Sequence, residues 1–404
     1  MADAPNNKAL HRFAVLTALT TLALIGLGGM VTSKGVGMAV PDWPTTYGQN
    51  MFLFPVGQWV GGILYEHSHR LLGSLVGLLT AIMACWFWGR HARGYAKWLG
   101  FGWVTLGLGL IGVRTQGAFV ALASVSLLVV IFCAFKLRMA KEPIMWWAML
   151  AYSLVLIQGT LGGLRVTQMK DEIGIIHGTI AQLFFLLICV LALVTSRFWK
   201  RVSEQDSVEV GGLRKLFLGV SLVILLQLVL GASMRHQHAG LAVPDFPLAY
   251  GKVWPKTDAK FIAKINRERM DPREFNEITA GDIHLHMTHR LVACSILGLV
   301  IWCCIAARKE SKSPLLVKGA DLWLGLICVQ AILGASTIWS NKSAEIATLH
   351  VATGAICLVW GGLLTILAFR VSRVVRSDQP PGVVVNPEDR TNGVDPLLVS
   401  VPTF

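Results

Sequence analysis

Four histidines set in apolar sequence, His69, His177, His289 and His350, are the residues best placed to do chemistry. A neutral imidazole is a good metal ligand, and an ionisable residue inside a membrane span is a functional site by default. Each lies early in a span that enters from the outer side, so all four share one depth. Two imidazoles at matched depth on facing helices can hold one heme iron between them. A lone histidine at a span end more often bonds a carbonyl at the interface. Four at equivalent places in a repeated pattern favour ligands, paired as His69 with His177 and His289 with His350.

The repeat is explicit. Gly37-Met38-Ala39-Val40-Pro41-Asp42-Trp43-Pro44, with Tyr47-Gly48 behind it, returns as Gly240-Leu241-Ala242-Val243-Pro244-Asp245-Phe246-Pro247 with Tyr250-Gly251; 8 of the 12 aligned positions are identical. Glu66-His67-Ser68-His69-Arg70 then answers to His286-Met287-Thr288-His289-Arg290, and Gln158-Gly159-Thr160-Leu161-Gly162 to Gln330-Ala331-Ile332-Leu333-Gly334. The two rigid Pro-Asp-aromatic-Pro segments, with an aromatic at headgroup depth, read as lids or as plain interfacial turns.

These residues are positioned by an all-α polytopic membrane protein. Hydrophobic residues make up 54% of the chain and charged ones 15%, with mean hydropathy +0.59. Ten apolar spans are expected, near 13–31, 63–88, 98–113, 117–137, 144–164, 174–197, 213–233, 283–307, 319–340 and 345–371. Most are long enough for a roughly 30 Å hydrocarbon core and must be helical there. The order predicts two homologous bundles as parallel repeats about an axis along the membrane normal, an eight-helix core plus an extra hairpin at 98–137. The expected division is an N-tail (1–12), a first bundle (13–197), a linker (198–212), a second bundle (213–376) with a long outer loop (234–282), and a disordered tail (377–404).

The connections placed inside hold 20 Lys and Arg, the short outer ones five, Lys34, Arg114, Arg165, Lys170 and Lys342. That bias puts both termini in the cytoplasm, and the short N-tail fits a bacterial cytoplasmic membrane better than a presequence. The net charge of +13 therefore reflects topology and anionic lipid, not nucleic acid. All eight cysteines fall inside spans without a CxxC, so neither a disulfide framework nor a thiolate site is expected. Small-residue faces such as Gly73-x-x-x-Gly77 leave a homo-oligomer open.

The halves differ beside the first histidine of each pair. Glu66 and His69, at i and i+3, share a helix face, and His286 stands where Glu66 does. A carboxylate there can move protons or fix a substrate; pairing with Arg70 at i+4 is the other reading. Arg70 and Arg290 offer planar forks for heme propionates. His67, His284 and His286 are read as second contacts around the ligand or its propionates. His284-x-His286-x-x-His289 makes a poor metal site because i and i+2 diverge on a helix. His236 and His238 are read as solvent-exposed.

The ordered set of motifs over residues 13–371 resembles the heme A synthase family, whose halves each carry a His-Arg helix and a second histidine helix. The resemblance implies oxidation of the C8 methyl of heme O, through hydroxylated intermediates, to the formyl group of heme A. It implies His69 and His177 as ligands of the substrate heme, Glu66 as the catalytic carboxylate, and His289 and His350 as ligands of a heme b. It also implies a heme O synthase as donor of the substrate, and a separate electron donor. A diheme cytochrome carrying electrons from quinol is the alternative, but it would usually set its hemes at two depths. A heme transporter would want broken helices and polar groups at midplane. Some relatives in the family carry a cysteine pair in the first outer loop, and this chain has none.

Overall fold

Backbone amides that meet no water must close their hydrogen bonds within their own segment, and the long apolar runs do so as helices. The computed structural model describes residues 7–110, 113–139, 143–205, 210–269, 277–311 and 313–377. The tail beyond Ser377 and Arg273 of the long loop lie outside those residues. The first half contains α1 (Lys8–Ser33), α2 (Gly62–His91), α3 (Gly94–Leu108), α4 (Gln116–Met139), α5 (Pro143–Gln168) and α6 (Asp171–Val194). A short helix, α7 (Arg197–Gln205), leads to the second half. That half contains α8 (Leu213–His236), α9 (Ala259–Glu268), α10 (Ala280–Glu310), α11 (Pro314–Trp339) and α12 (Ala344–Ser377).

Among the described residues nine helices are long and apolar enough to cross a membrane. The tenth expected span, 98–113, is α3, whose 15 residues reach only about 22 Å at 1.5 Å per residue. It is a packed half-span. The Trp88 indole lies on Gly100 and donates to the Ala96 carbonyl at 2.8 Å, while the Tyr152 hydroxyl lies on Gly107 and donates to the Val104 carbonyl at 2.8 Å. Side chains at either glycine would displace those rings.

Each half closes a ring of four helices. In the first, α1 packs on α2, α2 on α5, α5 on α6 and α6 back on α1; in the second the same circuit runs α8, α10, α11, α12. The halves meet through α1 on α12 and α6 on α8, two contacts that exchange under a twofold rotation. The hairpin of α3 and α4 sits outside the ring, against α2 and α5. The expected linker is partly helical. Trp199 of α7 is buried, with Arg370 of α12 over its ring at 4.9 Å, so α7 braces the seam.

The two ends of the bundle are built differently. Where α1 begins, the interior is solid: Leu10, Ala14, Phe87, Ile188, Leu213, Phe217, Val300 and Trp323 form one buried apolar cluster. Where α1 ends, the rings open into a cavity of about 1500 Å³. The hollow end is the histidine end.

The long outer loop folds onto the start of α10. Asp258 caps α9 by accepting from the Phe261 amide at 3.0 Å. Asn266 exchanges two hydrogen bonds with the backbone of Ile278, at 2.8 and 2.9 Å. Ile265, Ile278, Ile283 and Val243 make a small core beneath. Thr279 and Asp282 form a capping box that starts α10.

Candidate functional site

The duplicated loops cover the hollow end with one construction. Asp42 accepts from the amides of Tyr47 at 2.7 Å and Gly48 at 2.8 Å; Asp245 accepts from Tyr250 at 2.6 Å and Gly251 at 2.8 Å. Short acidic side chains that bond amides ahead of them fold the backbone back on itself. Tyr47 and Tyr250 then return their hydroxyls to the carbonyls of Ala39 (2.5 Å) and Ala242 (2.7 Å). Both tyrosines have positive φ, and a glycine with positive φ follows each. Burial works against the Asp42 carboxylate, but the bonds from Gly48, Thr45 and Tyr47 outweigh it and hold its pKa below the usual range. Burial pushes the Tyr250 phenol up to about 12.

Arg70 and Arg290 tie these lids to their helices. Arg70 donates to the carbonyls of Val40 (2.7 Å), Asp42 (2.7 Å) and Thr45 (3.1 Å). Arg290 donates to the equivalent carbonyls of Val243 (3.3 Å), Asp245 (2.7 Å) and Leu248 (2.9 Å). Both arginines border the cavity, but their η nitrogens already hold lid carbonyls and, for Arg70, Glu66.

The lid aromatics dock on different supports. The Trp43 indole lies flat on Gly163 of α5 and meets Phe119 of α4 edge-on at 4.6 Å. That contact sets α4 of the extra hairpin against the first lid. In the second half Trp339, at the end of α11, does the job. Its indole N–H donates to the Phe246 carbonyl at 3.2 Å and its ring meets Phe246 at 5.9 Å.

Beneath the lids each expected ligand histidine rests on a glycine of a neighbouring helix. A Cβ on Gly28, Gly162, Gly231 or Gly334 would meet Cε1 of His69, His177, His289 or His350 at 2.8, 3.2, 3.3 and 3.1 Å respectively. All four rings border the cavity, and each Nδ1 is buried without a hydrogen-bond partner. Gln158 and Gln227 steady the helices by donating to the backbone carbonyls of His177 and His289, both at 2.9 Å. The His289 and His350 ring centroids are 6.5 Å apart. Two metal–nitrogen bonds of about 2 Å plus the half-width of each ring span roughly that distance. His69 and His177 lie within electrostatic reach of each other.

The residues fit a metalloporphyrin better than a bare ion. No group of three or more His, Cys, Asp or Glu able to hold a metal occurs among the described residues. A pair of imidazoles supplies only axial donors, so the remaining donors must come with the metal. The cavity is larger than the 300–1,000 Å³ typical of one small-ligand site, and it runs past both histidine pairs.

Glu66 is buried at 3% exposure and lines the cavity beside His69. One oxygen accepts from Arg70 and the other from the Val40 amide, at 2.7 and 2.8 Å. Removing one partner of so buried a pair costs about 3–5 kcal/mol. His286 occupies the matching place, 2% exposed, lining the cavity with an unpartnered Nδ1. His67 faces away: its Nδ1 meets the Thr46 hydroxyl at 3.2 Å and its ring packs on Phe54 and Trp59. It supports the lid and does not line the cavity. His284, read as a second contact around the ligand, is exposed and does not line the cavity. His238 is exposed, as expected. His236 is not. It ends α8, is buried against Gly174 of α6, and lines the cavity at the seam.

Sequence reasoning also missed Arg165 and Arg235, which line the same cavity. Arg165 was counted only as an outer-side charge. Its place seven residues beyond Gln158, two helical turns along the helix that faces His177, was the available signal.

A family model described as cytochrome oxidase assembly protein, COX15-CtaA, matches residues 112–361, more than half of the chain. The chain is 24% identical over 354 residues to the heme A synthase of Geobacillus kaustophilus, covering 85% of this chain and 86% of that protein. It is 24% identical over 377 residues to the heme A synthase of Shouchella clausii, covering 92% and 98%. With the heme A synthase of Bacillus cereus it shares 23% over 341 residues, covering 83% and 86%. The family resemblance seen in the paired motifs is borne out: this chain belongs to the COX15-CtaA family of cytochrome oxidase assembly proteins.

Proposed function

We propose that the protein is a heme A synthase, oxidising the C8 methyl of heme O through hydroxylated intermediates to the formyl group of heme A. The observation that carries the reading is the asymmetry between two otherwise matched sites. A buried carboxylate, Glu66, borders the cavity beside His69, and a histidine, His286, replaces it beside His289. On this reading His69 and His177 hold heme O as substrate, while His289 and His350 hold heme b. Heme b, when bound, supplies one-electron redox chemistry. Glu66 keeps a lone pair free on each oxygen after bonding Arg70 and Val40, and it moves a proton at the methyl being oxidised. The lids keep bulk water from that proton.

On the same reading both termini lie in the cytoplasm of a bacterium and the lids on the outer face of its cytoplasmic membrane, which the positive-inside bias supports. Substrate arrives from a heme O synthase in the same bilayer, and a separate electron donor serves the second half.

The test is expression in a bacterium that makes heme O but no heme A, with extracted hemes identified by chromatography and mass. The wild type yields heme A or its hydroxylated precursor. Glu66→Gln lowers the yield by about 10²–10⁴-fold, the range of a positioned acid–base group, with the second-half heme spectrum unchanged. A heme-loaded wild type, supplied with a donor, that returns only unmodified hemes sinks the proposal and leaves a diheme electron carrier.

A further inference from the structure

Arg165, in the last turn of α5, is a half-buried charge lining this cavity. Its guanidinium lies on Gly37, the first residue of the first lid motif, where a Cβ would meet Nη1 at 3.1 Å and Nη2 at 3.3 Å. Among the described residues it donates no hydrogen bond and forms no ion pair. The acids within electrostatic reach are Glu66 and Asp171. Glu66 is committed to Arg70 and Val40, and Asp171 is exposed at the start of α6. Other neighbours add to the positive field. Arg235 reaches across the seam from α8 to the Gly29 carbonyl and to the Ser33 hydroxyl at 2.5 Å, within electrostatic reach of Arg165. A half-buried guanidinium in such surroundings calls for an anion, and its planar fork suits a carboxylate.

The second half makes the same provision with a different residue. Gly240 is the equivalent of Gly37, and the side chain of Lys342 lies over it, with Cε at 3.7 Å and Nζ at 3.9 Å from a Cβ there. By the Gln158–Gln330 alignment Arg165 corresponds to Thr337, and Lys342 to Lys170. One cation per half thus covers the first lid glycine from non-equivalent sequence positions. Shared ancestry supplied the lid, while each half supplied its own charge.

We propose that Arg165 is the carboxylate anchor of the first-half site: it binds a carboxylate of the metalloporphyrin held by His69 and His177, with Arg235 strengthening the field from the other half. This deepens the proposed function and rests on its assignment of a porphyrin to the first half. Arg70 borders the same cavity, but its η nitrogens already hold lid carbonyls and Glu66.

The experiment adds zinc protoporphyrin IX, or its dimethyl ester, to purified full-length protein that retains its second-half heme, and follows porphyrin fluorescence. The wild type binds the free acid more tightly than the ester. Arg165→Gln weakens free-acid binding about ten- to a hundredfold, the worth of one charge-assisted bond, leaves the ester unchanged, and so removes the preference. Arg165→Lys keeps the charge without the fork and restores part of it. The absorption of the resident heme confirms folding in each variant. A preference unchanged in Arg165→Gln, or equal binding of acid and ester by the wild type, overturns the anchor while leaving the porphyrin site standing. A wild type that binds neither probe overturns the first-half porphyrin site as well.

Discussion

The two halves are alike in their lids and in the seats of their histidines, and unlike in the charged groups beside those histidines. Asp42 and Asp245 fold the lids, Arg70 and Arg290 clamp equivalent carbonyls, and four glycines receive four imidazoles. Against that shared frame stand Glu66 opposite His286, Arg165 opposite Thr337, and a lid walled by Phe119 in one half and Trp339 in the other. The contrast separates scaffold from chemistry without a bound ligand. Residues that keep their role in both copies answer to a common geometric demand. Those that differ are where the two sites can do different work.

The comparison breaks most visibly at the ligands. On the proposed reading, in protein made where heme O is supplied, replacing His69 and His177 together by Ala removes the first-half heme, and replacing His289 and His350 removes the second-half heme. Heme per chain measured by pyridine hemochrome, with the two absorption spectra recorded separately, checks this. Loss of both hemes from either double variant would show one shared site in the continuous cavity, not two.

The glycine contacts sharpen the comparison at the next level. A Cβ at Gly28 would come to 2.8 Å from His69, closer than the 3.3 Å between Gly231 and His289. Overpacking a close contact costs about 1–3 kcal/mol, and a helix backbone yields less than a ring edge. Gly28→Ala therefore displaces His69 and weakens first-half heme binding, while Gly231→Ala is milder and affects only the second heme. Electron paramagnetic resonance of the two low-spin signals distinguishes them. Equal losses at the two positions would mean that His69 has slack which its contact with Gly28 does not reveal.

Much of this arrangement was legible in the sequence because a duplicated motif reports on itself. The helices, the twofold order and the shared depth of His69, His177, His289 and His350 follow from apolar period and repetition. The misses share a cause. Arg70 directly follows His69, so its chain position implied a place at the cavity, which it borders. That its fork also clamps the lid depends on carbonyls 25 to 30 residues away. His236 looked like a loop residue because α8 runs three residues past the expected span, into the seam beside Gly174. The 98–113 stretch has a span's composition, but its glycines are sites for Trp88 and Tyr152, and the helix stops at Gly109. Period and charge carry elements and orientation. They do not carry the direction in which a long polar side chain reaches across helices.

The smallest expected effect lies in the lids. Asp42 collects two amides and the Thr45 hydroxyl at 2.5 Å, whereas Asp245 collects the two amides alone, Leu248 standing in place of Thr45. The native carboxyl of Asp42 has its pKa below the unfolded value near 3.8. Its contribution is therefore present above that pH and is lost as pH falls through the lower, folded value. Hydrogen exchange at the Tyr47 and Gly48 amides, followed from roughly pH 6 to 3 after correction for intrinsic rates, should show protection holding until about pH 4 and falling below it. Asp42→Asn keeps one acceptor oxygen but no charge, so its lid should be looser at neutral pH and lack that acid step. Protection unchanged down to pH 3 in the wild type would mean that Arg70 alone closes the first lid, and that Asp42 only sets the shape of its turn.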